Sequence, residues 1–326
     1  MAAQEVPPLG DLAPDDARGE WLGLPGQRRH CHRGDEDRPA KTAIVPEVVR
    51  ERDLMSANSA NGISETLADL LGFPLAGALV TAMSAMLGAA FVVDAATYVV
   101  SAVLIAAMTV PALARQPEPF TTSVVWREIA EGWNFLRRQP ELFTNTIVTA
   151  IAQIGFGAEI VLAVLYAERV LDRTHIGYPA NYSLLLAAVG VGSVLGGLAV
   201  GALGDRVRKG PLVIIGLVGV GLALVLAALV TNPFAAIALF FWIGFFNMLF
   251  LVPTITLFQE RTPQRLMGRV VSTRQAIVFG TMAASMAVCG WLAGVIGAAP
   301  VLGIGGAVCA VAGFAGVFVP AMRDAR

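Results

Sequence analysis

The sequence predicts an all-α polytopic membrane protein with about eight transmembrane helices. Two features of its composition favour this fold class: 56% of the 326 residues are hydrophobic and 14% are charged, and the mean hydropathy is +0.68. A soluble domain carries about 25% charged residues, whereas a protein in lipid needs polar side chains only in its loops and along an internal path. The third feature is the alternation of long apolar stretches with basic loops. We therefore expect a lipid bilayer as the surroundings, and the net charge of -1 indicates no nucleic-acid partner.

Eight apolar stretches reach the length of about 20 residues that a helix needs to cross a bilayer. They are residues 66–88, 89–111, 142–167, 180–203, 211–230, 234–258, 270–296 and 299–320. The segment before them, residues 1–42, is rich in Pro, Gly, Asp and Arg and contains no long apolar run. We expect this segment to be disordered, and to be neither a signal peptide nor a first span.

The basic residues predict the orientation, because loops rich in Lys and Arg are retained on the cytoplasmic side. Fifteen basic residues fall in one alternating set of loops, whereas the other set holds only Arg169 and Arg173. This asymmetry predicts a multi-pass protein of the cell membrane with both termini in the cytoplasm.

The connection between the second and third spans, residues 112–141, is long and polar and contains an amphipathic pattern. Its apolar face consists of Trp126, Ile129, Trp133 and Leu136, and its polar face of Arg127, Glu128, Glu131 and Arg138. The helical spacing predicts an interfacial helix within a cytoplasmic linker. An ordinary linker helix on the headgroups and a regulatory helix are equally open interpretations.

The fourth and fifth spans are rich in glycine. The residues are Gly190, Gly192, Gly196, Gly197 and Gly201 in the fourth span, and Gly216, Gly219 and Gly221 in the fifth. In lipid, small residues allow helix backbones to approach closely, so we expect these two helices to pack against each other. A transporter and a structural bundle would both use such glycines.

The loop between these two spans reads GALGDRVRKG. It resembles the loop motif G-x-L-x-D-x-x-G-R-R/K of the major facilitator superfamily, as that motif occurs in the second half of those transporters. The residues that match are Gly201, Leu203, Asp205 and Lys209, and Arg208 replaces the second glycine. The resemblance implies a loop that holds one conformation of alternating access. The residues that would carry this role are Gly201, Asp205, Arg206 and Lys209.

Four further segments resemble the efflux branch of the same family, which includes macrolide and siderophore exporters. They are residues 43–80, 93–104, 128–142 and 265–275. The resemblance implies that the eight spans correspond to helices 5–12 of a twelve-helix fold that is truncated at its N-terminus. Four parts follow: residues 1–42 outside the family, a remnant of the N-terminal half at 43–111, the linker at 112–141, and the six-helix C-terminal half at 142–326.

The function that this resemblance implies is proton-coupled efflux of small hydrophobic molecules, such as a drug, a macrolide or a siderophore, by an incomplete antiporter. The expected partners are the substrate, protons, and a separate N-terminal fragment or a second copy of the chain. The alternative is a non-transporting membrane remnant that serves as a scaffold or interaction protein. The sequence contains no P-loop, no metal-ligand cluster and no serine nucleophile with a histidine nearby, so we expect no enzyme activity, no cofactor and no metal.

Polar residues inside the predicted spans are candidates for a transport path, because an ionisable group at the bilayer centre costs at least about 2.5 to 3.5 kcal/mol. Glu159, which follows Gln153 in the third span, is expected to line a polar path and to be the proton-binding candidate. A structural pair near the outer end and an interfacial position are its other interpretations. Asp94 in the second span is a further candidate, for which a structural hydrogen bond is favoured over proton relay. Asn247 is a lesser candidate for the path.

Overall fold

The computed structural model describes residues 45–46, 49–82, 87–107, 121–169, 171 and 178–325. Within these ranges the chain forms helices joined by turns, and the same ranges contain no strand. The predicted all-α fold is therefore confirmed. The segment that we expect to be disordered, residues 1–42, lies outside the described residues, as does the first part of the linker.

Nine long helices and one short helix follow one another in the described ranges. They are α1 (Leu54–Ala82), α2 (Leu87–Ala107), α3 (Thr122–Arg138), α4 (Pro140–Arg169), α5 (Tyr178–Leu203), α6 (Lys209–Leu229), α7 (Pro233–Arg261), α8 (Gln264–Ile296), α9 (Ala298–Ala315) and α10 (Pro320–Arg323). Six of them, α4 to α9, are long and apolar enough to cross a membrane. These six confirm the last six predicted spans.

The first two predicted spans correspond to α1 and α2. Helix α1 begins at Leu54, well before the predicted start at Thr66. Its first turns are held in the bundle, because the Ser59 hydroxyl donates to the carbonyl of Gly197 in α5. Helix α2 contains the shorter apolar stretch Ala95–Leu104. Neither helix is among the six candidate spans of the described residues, so the count of eight stays a prediction for these two.

Local sequence explains the tight turns between later helices. The Asn232 side chain caps α7 by accepting a hydrogen bond from the Phe234 amide at 2.9 Å. Pro233 occupies the first turn of α7, where the amide hydrogen that proline lacks has no helical partner. Gly297 alone separates α8 from α9, and its φ of 92° lies in the left-handed region that favours glycine. These turns make consecutive helices run in opposite directions.

The six long apolar helices form a front row and a back row. The front row is α8, α4, α7 and α5 in that order, and α9 and α6 lie behind α4 and α7. The main apolar core lies between the two rows and includes Leu162, Tyr166, Leu217, Phe240 and Leu302. Helix α1 packs against α5 and α7. We call the side of the front row that faces away from α6 and α9 the front face.

Glycines mediate the closest helix contacts, although not between the pair that we expect from the sequence. Gly192 and Gly196 of α5 lie directly against the backbone of α7. Gly216 of α6 also lies against α7, and Gly221 of α6 lies against α9. The prediction that the fourth and fifth spans pack against each other is therefore wrong, because α7 lies beside both of them.

Helix α3 contacts the end of the bundle at which α4 and α8 begin, which we call the linker end. Gly132 of α3 lies against the backbone of α8 at Arg269. Glu128 and Glu131, which belong to the polar face of this helix, both form salt bridges with Arg269. Trp126 of the apolar face is instead 71% exposed. Part of the charged face therefore binds the bundle, and contact of α3 with lipid headgroups stays a prediction.

Candidate transport site

Buried polar side chains join α4 to α7 near the linker end. The Asn145 amide donates a hydrogen bond to the Thr254 hydroxyl, with 3.4 Å between nitrogen and oxygen. The Thr149 hydroxyl donates to the Asn145 carbonyl oxygen at 3.5 Å. All three side chains are buried. Such bonds hold helices together where lipid offers no competing partner.

Gln153 lies two turns beyond Asn145 on α4 and contacts α8. Its amide nitrogen is 3.6 Å from the sulfur of Met282. One residue further, the carbonyl oxygen of Ile154 accepts a hydrogen bond from the Ser285 hydroxyl at 2.9 Å. A thioether is a weak acceptor, so the Gln153 amide can exchange its contact with Met282 for a stronger partner.

A stripe of α7 residues continues the front face. Asn247, Thr254 and Phe258 recur at helical spacing and therefore share one side of α7. Asn247 is partly buried, and the structure shows no hydrogen-bond partner for it among the described residues. Behind this stripe, in the core between the two rows, Phe250 stacks on Phe156 of α4 with 6.0 Å between ring centroids. The polar stripe of α7 therefore lies in front of a buried aromatic pair.

Arg274 of α8 also reaches this face, although by its sequence position it is one of the fifteen basic residues assigned to the cytoplasmic loops. Its guanidinium carbon lies 4.8 Å from the centroid of the Phe258 ring. The Nε atom is buried and has no hydrogen-bond partner in the described part of the chain. The signal in the sequence is the position of Arg274, ten residues after the start of α8, which places it inside a span and not in the loop.

The other side of α7 carries a second polar contact, to α1. The Asn58 amide donates to the Thr256 hydroxyl at 3.0 Å and to the Gln259 side-chain oxygen at 2.5 Å. All three side chains are buried. This network fixes α1 on α7, and no spacing rule in the sequence pairs residues that lie about 200 positions apart.

Glu159 lies on a different side of α4 from Gln153. Six residues separate the two, which at 100° per residue turns their side chains about 120° apart around the helix. Gly155, one turn before Glu159, lies against α9 at Gly305 and Cys309. The Glu159 carboxylate is partly buried and within electrostatic reach of the Cys309 thiol. The structure therefore brings Gln153 and Asn247 to the front face and places Glu159 towards the back row.

Asp94 lies within α2, and its side chain is outside the described residues. The structure thus leaves both of its predicted roles, hydrogen bonding and proton relay, as predictions.

The predicted loop motif forms the turn between α5 and α6. The carbonyl of Gly201 accepts a hydrogen bond from the Ser56 hydroxyl of α1 at 3.3 Å. Gly204 has a φ of 51°, a left-handed conformation that suits glycine. Arg206 is exposed, and the side chain of Asp205 is outside the described residues.

Lys209 of the same motif forms a buried salt bridge. Its amine lies 3.0 Å from a carboxylate oxygen of Glu260, and the two side chains are 7% and 12% exposed. Lys209 begins α6 and Glu260 lies in the last turn of α7, so the pair fastens two helix ends together. Lys209 belongs to the predicted loop motif, whereas its partner Glu260 was not predicted from the sequence.

An apolar groove of about 490 Å³ lies elsewhere, between α6 and α9 at the end opposite the linker end. Its lining includes Leu229, Pro300 and Ile304. No polar residue of the front face lines it, so we keep it apart from the candidate site. Among the described residues, no group of His, Cys, Asp and Glu side chains is arranged to hold a metal ion.

Long apolar helices that enclose a few convergent amides, hydroxyls and charges define a polytopic α-helical membrane protein with a polar internal face. The chain belongs to the Major Facilitator Superfamily, whose family model matches residues 38–284. The family resemblance that the loop motif and helix segments indicated is therefore confirmed.

Curated relatives are exporters by name. The enterobactin exporter EntS of Salmonella choleraesuis (strain SC-B67) is 26% identical over 234 residues, which cover 71% of this chain and 53% of the relative. The enterobactin exporter EntS of Escherichia coli O1:K1 / APEC is 24% identical over 234 residues, with the same coverage of 71% and 53%. The chain spans about half the length of the curated relatives that it matches.

Proposed function

We propose that this chain takes part in the proton-coupled export of small hydrophobic molecules, such as a drug, a macrolide or a siderophore-like compound. In this proposal it is an antiporter of the cell membrane, and the linker end and both termini face the cytoplasm. The front face of α4, α7 and α8, in a member of this superfamily, is the observation that carries the proposal. The exporter names of the relatives support it.

Substrate would bind on the front face. Gln153 and Asn247 offer amide donors and acceptors, and neither has a strong partner among the described residues. Phe156 and Phe250 lie behind them in the apolar core and keep this part of the wall hydrophobic. A few hydrogen-bonding groups within an apolar wall suit ligands that are mostly hydrophobic.

Glu159 would carry the proton. Its carboxyl group lies within a predicted span and forms no salt bridge with any described residue. Ionisable groups in this position mark ion and proton pathways, because they are too costly to retain without a function or a partner. Since Glu159 faces the back row, it would act on the substrate site through movement of α4.

The loop motif would hold one conformation. The buried pair of Lys209 and Glu260 joins α6 to α7, and Gly201 receives a hydrogen bond from α1. Asp205 and Arg206 would complete this contact, as the family resemblance implies. Opening of the linker end would then require these contacts to change.

Further helices would complete the transporter, supplied by a separate N-terminal fragment or by a second copy of the chain. Helix α8 has the smallest buried share of the six candidate spans, and Val288, Trp291 and Val295 are among its exposed side chains. Several exposed positions of α8, among them Gly280 and Ala284, are small enough for another helix to approach closely. Co-purification of two differently tagged copies, with and without a separately expressed N-terminal half, distinguishes the two partners.

The test of export is dye efflux from cells that lack their own exporters. We expect cells that express the chain with its completing helices to expel a hydrophobic dye, and a protonophore to stop this efflux. The substitution Glu159→Gln should abolish efflux because the amide cannot exchange a proton. The matched control is Glu168→Gln, at an exposed position near the end of the same helix.

Equal surface abundance of all variants must be shown by labelling intact cells. Efflux that Glu159→Gln leaves intact contradicts the proton-carrying role of Glu159. No efflux from any form at normal surface abundance contradicts the export proposal and favours the non-transporting scaffold. We continue to predict that the chain is not an enzyme.

A further inference from the structure

The depth of Arg274 follows from its neighbours on α4. Helices α4 and α8 lie side by side and run in the same direction, and Gln153 contacts Met282, which is 129 residues later. The same difference of 129 positions places Arg274 of α8 at the same height in the bundle as Asn145 of α4. Arg274 therefore lies at the height of the Asn145–Thr254 hydrogen bond, more than one turn inside the start of α4.

The side chain of Arg274 reaches across the front of α4 instead of extending out of the bundle. It starts on α8, and its guanidinium group lies over the ring of Phe258 on α7 at 4.8 Å. Phe258 is one turn from Thr254 on the same side of α7. A cation over an aromatic face is attracted by the ring, but the ring does not supply the hydrogen-bond acceptors that a guanidinium requires.

Four carboxylates of the linker end are bound to other cations. Glu128 and Glu131 bind Arg269, Glu141 lies 3.3 Å from Arg261, and Glu260 lies 3.0 Å from Lys209. No salt bridge joins Arg274 to a described residue, and its Nε atom has no hydrogen-bond partner among them. Arg274 is therefore a partly buried cation, and no anion among the described residues pairs with it.

We propose that Arg274 binds the anionic group of the transported molecule, so that hydrophobic anions with a carboxylate or phenolate are the preferred substrates of the front face. This inference rests on the proposed export function and names its substrate class. The planar guanidinium offers two parallel donors to such a group, and charge-assisted hydrogen bonds of this kind are the strong ones. Asn145 and Thr254 lie level with it, and the Phe258 ring holds the guanidinium in place.

The experiment measures binding of two compounds that differ only in charge. Pyrenebutyrate is a hydrophobic carboxylate, and its methyl ester has the same ring system without the charge. The full chain is placed in phosphatidylcholine nanodiscs, and binding of each compound is followed by fluorescence anisotropy at pH 7. We expect the acid to bind about tenfold more tightly than the ester, as a charge-assisted pair predicts.

The variants distinguish recognition of the ligand's charge from an indirect effect of the substitution on the structure of the site. Arg274→Gln should remove the preference for the acid and leave binding of the ester unchanged. Arg274→Lys should retain part of the preference, because lysine keeps the charge but not the fork of donors. Arg265→Gln is the matched control, since Arg265 is exposed at the start of the same helix. It should bind both compounds like the unmodified chain.

Three results would overturn the inference. They are equal binding of acid and ester by the unmodified chain, equal weakening of both by Arg274→Gln, and loss of the preference when phosphatidylglycerol is added. The last result would identify a lipid phosphate as the ligand. The comparison of acid with ester in the unmodified chain keeps the test decisive even where Arg274→Gln does not fold.

The outcome is distinguishable from failure of the export proposal. Dye efflux without any preference for the acid overturns the role of Arg274 alone. A preference for the acid in nanodiscs, without efflux in cells, upholds the anion site and contradicts export by the chain.

Discussion

Charged groups at the linker end and inside the bundle have opposite surroundings. At the linker end, Lys209, Arg261 and Arg269 each form a salt bridge with a carboxylate. Inside the bundle, Arg274 and Glu159 form no salt bridge with a described residue. A charge that is satisfied within the protein holds helices in place, whereas an unsatisfied one retains bonding capacity for a ligand or a proton. Under the proposed function, the linker end contributes stability and the interior contributes recognition.

The largest effect on stability is expected from the buried pair of Lys209 and Glu260. Removal of one partner of a buried pair costs about 3 to 5 kcal/mol, because the other charge is left alone. Lys209→Met should therefore lower the melting temperature of the purified chain in detergent strongly. The double variant with Glu260→Met should recover most of this loss, since neither charge is then stranded.

Arg208→Met is the control for this prediction, because Arg208 is the exposed neighbour of Lys209. If Lys209→Met melts at the same temperature as Arg208→Met, the ion pairs of the linker end do not stabilise the fold. The claim that paired charges at the linker end contribute stability would then be wrong.

An intermediate effect is expected from glycine contacts, which stabilise the bundle without any charge. A methyl group at Gly192 would collide with the carbonyl of Phe241, whereas one at Gly280 would meet no atom within 4 Å. We expect Gly192→Ala to destabilise the chain by about 1 to 3 kcal/mol. Gly280→Ala should be neutral or stabilising by up to about 1 kcal/mol, because alanine favours the helix. Thermal unfolding in detergent tests both, and equal stability of the two variants would show that α5 and α7 can separate freely.

The smallest effect is expected from an exposed pair, Arg323 and Asp324. The hydrogen bond from Arg323 holds the pKa of Asp324 below its ordinary value. A lowered carboxyl pKa contributes stability above the unfolded pKa, and this contribution is lost as the pH falls through the folded value. Because water screens exposed charges, Asp324→Asn should leave the melting temperature unchanged at pH 7 and at pH 3. If Asp324→Asn melts at a clearly lower temperature than the unmodified chain at pH 7, but at the same temperature at pH 3, an exposed ion pair stabilises the chain as a buried pair does.

The sequence predicts the six long spans because their signal is local. A run of apolar side chains that is long enough to cross lipid needs no knowledge of its neighbours, as the agreement of α4 to α9 with the predicted spans shows. The amphipathic helix at Thr122–Arg138 follows from periodicity in the same way. Its contact with Arg269 does not, because the salt bridges cross more than 130 positions of the chain.

The candidate site is less predictable because it depends on which helices become neighbours. Asn145, Thr149 and Gln153 recur every four residues, and this spacing was a readable sign of one polar side of α4. The spacing from Gln153 to Glu159 likewise shows that the two point in different directions. The contact of Arg274 with Phe258 has no counterpart in local sequence, since it depends on the placement of α7 and α8 on either side of α4.

Trp133 gives the protein an intrinsic optical reporter. Its indole meets the ring of Phe143 edge to face at 5.8 Å, where α3 contacts the start of α4. The same helix is bound to α8 through Arg269. Any displacement of α8 that pulls α3 away from α4 changes the polarity around this indole and shifts its emission wavelength. With phenylalanine in place of the other tryptophans, stopped-flow fluorescence follows that displacement in real time and without an attached dye.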